Sequence, residues 1–165
     1  MQSLLIPDVK DFMGKLFASE LFDAFAVSEA SVSTFTSFQI DGSFHRDYYG
    51  DPAGAGEDCP AALTWKLLRP HIFELIKGKY VPLGLKLVFR LSDRNVEKLL
   101  AQAGIPLQAG DVAGLFLNIL YAEGKISCTT GTSLKIFTLD KSLDRAWDEM
   151  VRRYLRQCQI PFLEP

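Results

Sequence analysis

The chain contains two histidines, His45 and His71, and each stands apart from the carboxylates and cysteines that metal and acid–base sites gather at short spacing. His45 lies beside Arg46 and Asp47 after a turn signal and reads as a surface residue. His71 keeps more basic company. Arg69, His71, Lys77 and Lys79 fall on one helix and the loop that follows it, where together they could hold an anion. A solvated basic helix face explains the same four residues. The most hydroxyl-dense stretch is Thr129-Thr130-Gly131-Thr132-Ser133. A Ser or Thr nucleophile needs an adjacent base, and the sequence names none here. A tight turn between two strands accounts for these residues without chemistry. The carboxylate pairs Asp148-Glu149 and Glu57-Asp58 are neighbours in sequence. On a helix, neighbours point about 100° apart, so Asp148-Glu149 is not a ready-made acid–base pair.

Cys59, Cys128 and Cys158 are widely spaced and odd in number. That usage fits a reducing compartment and argues against both a disulfide framework and a zinc site, so the expected location is the cytoplasm. Residues 50–62 are rich in Gly, Pro, Ala and acid. They lack the Gly-Lys-Ser/Thr ending of a phosphate loop, and their charge would repel phosphate. No metal, catalytic residue or cofactor is expected, which leans the chain away from being an enzyme.

The elements that would position these residues follow from periodicity. Val9, Phe12, Met13, Leu16 and Phe17 predict a helix over 8–19, after a short strand at 4–6. Residues 25–40 have strand chemistry. Asp41-Gly42 is a hairpin signal, with 44–49 as the returning strand. Residues 50–62 are expected to form an exposed, flexible loop. A second helix over 65–77 contains Pro70, which predicts a late start or a kink. Residues 83–91 alternate as a half-buried strand. Ser92 caps a third helix that ends at Gly104. Residues 114–122, 125–130 and 133–139 read as strands turned at Glu123-Gly124 and Gly131. A last helix over 141–158 places Leu143, Trp147, Met150, Val151, Tyr154 and Leu155 on one side, with Asp144 and Asp148 among the charged residues of the other.

At 165 residues and 48% hydrophobic composition, one domain spanning 1–165 is expected, with a core that needs no staples. The net charge of −2 gives the whole molecule no electrostatic reason to seek nucleic acid or acidic membranes. Residues 1–60 nonetheless carry three Lys/Arg against ten Asp/Glu, and residues 66–98 eight against three. No apolar run reaches the roughly 18–20 residues of a membrane span. The N-terminus has too few apolar residues before Pro7 for a signal peptide.

The fold class expected is α+β, with a mostly antiparallel sheet built from two βαβββ-like units and two additional helices. Ser28–Ser33 and Ala122–Ser127 are faintly alike, which adds to the case for a pseudo-duplicated chain.

Asp8–Met13, Leu68-Arg69-Pro70, Leu75–Lys79 and Cys128–Asp148 together resemble an uncharacterised bacterial family of unknown function. That resemblance implies no activity, ligand or catalytic residue. The unit order also resembles the DNA sliding-clamp fold, whose helices must be basic to track phosphates. Here Asp8, Asp11, Asp93 and Glu97 cancel Lys10, Lys15, Arg94 and Lys98. The leading expectation is a non-catalytic interaction or regulatory domain, self-associating or bound to a protein partner. The alternatives are a small-anion or nucleotide binder or enzyme using residues 66–98, and a clamp-like DNA-associated protein.

Overall fold

The computed structural model describes residues 1–50 and 59–165. In chain order the elements are β1 (Ser3–Ile6), α1 (Val9–Phe17), β2 (Ala26–Ser33), β3 (Ser37–Ile40), α2 (Trp65–Ile76), β4 (Gly84–Arg90), α3 (Asp93–Ala103), β5 (Val112–Ala122), β6 (Lys125–Leu134) and α4 (Ser142–Gln157). The strands form one antiparallel sheet in the order β1-β6-β5-β4-β2-β3. This is an α+β architecture.

Side-chain alternation sets the two faces of that sheet. Leu4 and Ile6, Ala30 and Val32, the alternating Leu85, Leu87 and Phe89, then Leu115, Leu117, Ile119 and Tyr121, and Ile126 and Cys128 are buried in one core with the apolar stripes of all four helices. The opposite side of the strands carries Ser31, Lys86, Asn118, Ser127 and Thr129, all half-buried or exposed. The helices therefore cover one face and leave the other largely polar.

Helix boundaries follow local chemistry. Asp8, Thr64 and Ser92 cap α1, α2 and α3, each accepting from a backbone N–H three residues on. α2 runs continuously across Pro70, whose exposed ring meets solvent while Trp65, Leu68 and Ile72 hold the buried stripe. No helix among the described residues is long and apolar enough to cross a membrane.

Several expectations need correction. The hairpin between β2 and β3 turns at Thr34-Phe35-Thr36, with Ser33 opposite Ser37, and not at Asp41-Gly42. Inward placement of Ala30, Val32, Phe38 and Ile40 fixes that register. Gly42 does need its positive φ of 78°, but for a close approach: a Cβ there would lie 2.1 Å from the Ser28 carbonyl oxygen. Residues 46–49 then form a single 3-10 turn instead of a returning strand. β6 passes straight through Gly131 and stops at Leu134, so 133–139 adds no strand of its own. Each half thus reads βαββα, one strand short of the expected unit. The pairing does not repeat either, since β4 joins β2 and β5 while β1 joins only β6. Pseudo-duplication is not shown. The expected loop over 50–62 falls mostly on 51–58, outside the described residues.

Candidate functional site

The most chemically unusual surface lies where the β2–β3 hairpin meets the C-terminal end of α2. Thr34, Phe35 and Thr36 are β-formers in a three-residue turn, and nothing about turn chemistry calls for an aromatic there. Phe35 is 92% exposed. After α2, Gly78 takes a positive φ of 135° and sends the chain through Lys79, Tyr80, Val81 and Pro82 into β4. The Leu83 N–H donates to the Ser33 carbonyl at 2.8 Å and fixes this connection against the hairpin. Between the two segments opens a cleft of about 650 Å³ lined by Phe35, Leu75, Ile76, Tyr80, Val81 and Leu83. Tyr80, Val81 and Leu83 are 74% exposed or more. A second groove of about 340 Å³, floored by Phe17 and Phe73, shares Ile76 and Val81 with the first.

Of the four candidate anion-site residues, Lys77 and Lys79 line this cleft; Arg69 and His71 do not. Lys77 is paired with Glu74 at 2.9 Å, and both side chains are more than half exposed, so the pair is a weak surface contact. The Lys79 ammonium sits 5.7 Å above the Tyr80 ring. Arg69 is committed inward. Its Nε and Nη2 form a two-pronged pair with Asp23 at 3.0 and 2.9 Å, and Nη1 donates to the Phe17 carbonyl at 3.0 Å. His71 is exposed on α2.

The hydroxyl-dense stretch lies within β6. Thr130 and Thr132 donate to Asp148 and Asp144 of α4. Two hydroxyls spaced i, i+2 on a strand thus meet two carboxylates spaced i, i+4 on a helix. Asp144 and Asp148, expected on the outer side of that helix, face the sheet. The pattern was present in the sequence, but only a known docking of α4 on β6 connects it. Among the described residues no three His, Cys, Asp or Glu side chains stand close enough to hold a metal ion. A third pocket between α3 and α4, lined by Phe25, Trp147 and Tyr154, holds about 90 Å³. That is well below the roughly 300–1,000 Å³ of small-molecule sites.

Fold and site together define a two-layer α+β protein with a broad, mostly apolar cleft whose rim carries Lys77, Lys79 and Glu74. The chain belongs to the family of unknown function DUF5721, whose model matches residues 15–163. No curated protein and no solved structure matches it.

Proposed function

We propose that the protein is a non-catalytic interaction domain, and that the hairpin-tip cleft docks a segment of a partner protein. The observation that carries this reading is the grouping of Phe35, Tyr80, Val81 and Leu83, all largely exposed, around one concavity. Clustered apolar side chains of this size on a monomer surface mark binding sites far more often than scattered ones do. Lys79, beside Lys77 and its ion-pair partner Glu74, leaves the rim with one net positive charge and favours a large apolar side chain flanked by a carboxylate. The three free cysteines support a reducing, cytoplasmic setting.

The test is a random-peptide display selection on the full chain, with the Phe35→Ser/Leu83→Ser chain as counter-bait. Peptides that join acidic and large apolar residues should be enriched and should bind the double variant at least tenfold more weakly. Peptides that bind both chains equally would sink the proposal.

A second reading draws on the same two lysines, which could bind a small anion or nucleotide. Inorganic phosphate and nucleotides should then raise the thermal midpoint of the wild type, and Lys77→Glu/Lys79→Glu should remove the shift. A shift that survives the double variant rules this reading out.

A further inference from the structure

The two edges of the sheet are treated differently by the same chain. At the β1 edge, Leu163 pairs with Leu5 through two backbone hydrogen bonds of 2.9 and 2.8 Å, so the C-terminal segment covers that strand. At the β3 edge no described residue pairs with the outer side of Ser37–Ile40. Exposed edges are usually blunted by Lys, Pro, a bulge or an inward charge. Ser37-Phe38-Gln39-Ile40 has none of these within the strand, which is four residues long.

We infer that the protein associates with a second copy of itself by antiparallel pairing of β3 with the partner's β3 about a twofold axis at Gln39. Two features of the strand, beyond the backbone pairing that any extended segment could make, favour a copy over an unrelated segment. The unpaired backbone groups of one strand are complementary to the same groups on an antiparallel copy. Opposite residues in an antiparallel pair share a face, so this register places Phe38 against Ile40 of the partner subunit on the helix side. Both side chains are only half-buried in one chain, opposite the buried Val32 and Ala30 respectively. The pairing therefore continues the core across the interface.

Charge agrees with this register. The paired residues Ser37 to Ile40 are neutral, so no like charges oppose one another. Ser37, itself neutral, comes opposite Asp41 of the partner subunit, so the charged residue flanking the strand meets no like charge. Gln39, exposed on the polar face, meets Gln39 of the partner subunit directly. None of Ser37 to Ile40 lines the cleft.

The experiment is sedimentation equilibrium of the full chain from 1 to 200 μM. A concentration-dependent mass rising from 18.4 kDa toward twice that value is expected. Gln39→Lys and Gln39→Glu each bring like charges together and should weaken self-association at least tenfold. Mixing the two variants should restore a dimer containing one chain of each, a rescue that misfolding cannot mimic. A monomer at every concentration overturns the inference. So does a dimer that ignores both Gln39 variants but is lost in Phe35→Ser/Leu83→Ser, a result that would leave the cleft reading standing.

Discussion

Thr130 Oγ1 donates to Asp148 Oδ1 at 2.5 Å, and Thr130 is only 1% exposed. The same hydroxyl accepts the Gln2 N–H at 3.0 Å, and the Gln2 side chain donates to the Asp148 carbonyl oxygen at 2.9 Å. The N-terminal strand, β6 and α4 therefore meet at one hydroxyl. Thr130→Val keeps the shape but leaves the Gln2 N–H and the Asp148 carboxylate short of a partner. The expected cost is about 1–3 kcal/mol, because buried polar groups left unpaired lose solvation without compensation. Thr130→Ser restores the oxygen and should cost about 1 kcal/mol or less. Urea unfolding of the three chains measures both values, and equal midpoints for Val and Ser would show that packing alone holds α4.

Arg69 and Lys77 lie on and just after the same helix but do different work. Arg69→Met removes three charge-assisted donations and strands Asp23, which is only 11% exposed. A loss of roughly 2–3 kcal/mol is expected. Lys77→Glu and Lys79→Glu touch only surface contacts and should each stay within about 0.5 kcal/mol of wild type. Thermal unfolding of the single variants checks the contrast. A large loss at Lys79 together with none at Arg69 would reverse the assignment.

The helices and the central strand were legible because their signals are local. Val9 to Phe17, the cap at Ser92 and the alternation of Leu85, Leu87 and Phe89 each name an element within a dozen residues. The hairpin was harder, since Thr34-Phe35-Thr36 has the composition of a strand and Asp41-Gly42 that of a turn. The tertiary register of apolar residues overrode both. The straight run through Gly131 was equally hidden: its neighbours' hydroxyls are satisfied by α4, 12 and 18 residues further along the chain. At the candidate site, Lys77 and Lys79 were visible as charge. Phe35, Tyr80 and Leu83 were not, because an exposed aromatic and a core aromatic look alike until burial is known.

That exposure has its own measurable consequence. Phe35, Tyr80 and Leu83 are 74% exposed or more and add little to the core. Phe35→Ser and Leu83→Ser should leave the thermal midpoint nearly unchanged, within about 0.5 kcal/mol of wild-type stability. Binding of an environment-sensitive dye such as anilinonaphthalene sulfonate should fall as the apolar cleft is removed. By contrast Trp147→Ala, which empties a fully buried site and removes the donor to the Phe116 carbonyl at 2.9 Å, should cost about 3–5 kcal/mol. If Phe35→Ser destabilised the chain as much as Trp147→Ala, the hairpin tip would be a structural contact.

The buried thiol of Cys128 makes stability depend on alkaline pH. Burial on the core side of β6 pushes its pKa up to about 12 from an ordinary value of 9.0. The folded state therefore keeps a proton that the unfolded chain gives up. The contribution is fully present below about pH 9 and is lost as pH rises toward about 12, at up to about 1.4 kcal/mol per pH unit for one proton. Burial also raises the pKa of Cys158, and that of Tyr154 more strongly, so the three act in the same direction. Urea midpoints measured from pH 7.5 to 10.5 should fall for the wild type, and less steeply for Cys128→Ala. Thiol reactivity gives a second readout. Cys59 is half-buried and should react with a disulfide reagent in the native state, whereas Cys128 and Cys158 should wait for unfolding. Native-state labelling of Cys128 as fast as Cys59 would show that β6 opens on its own, and the alkaline slope would then belong to local and not global unfolding.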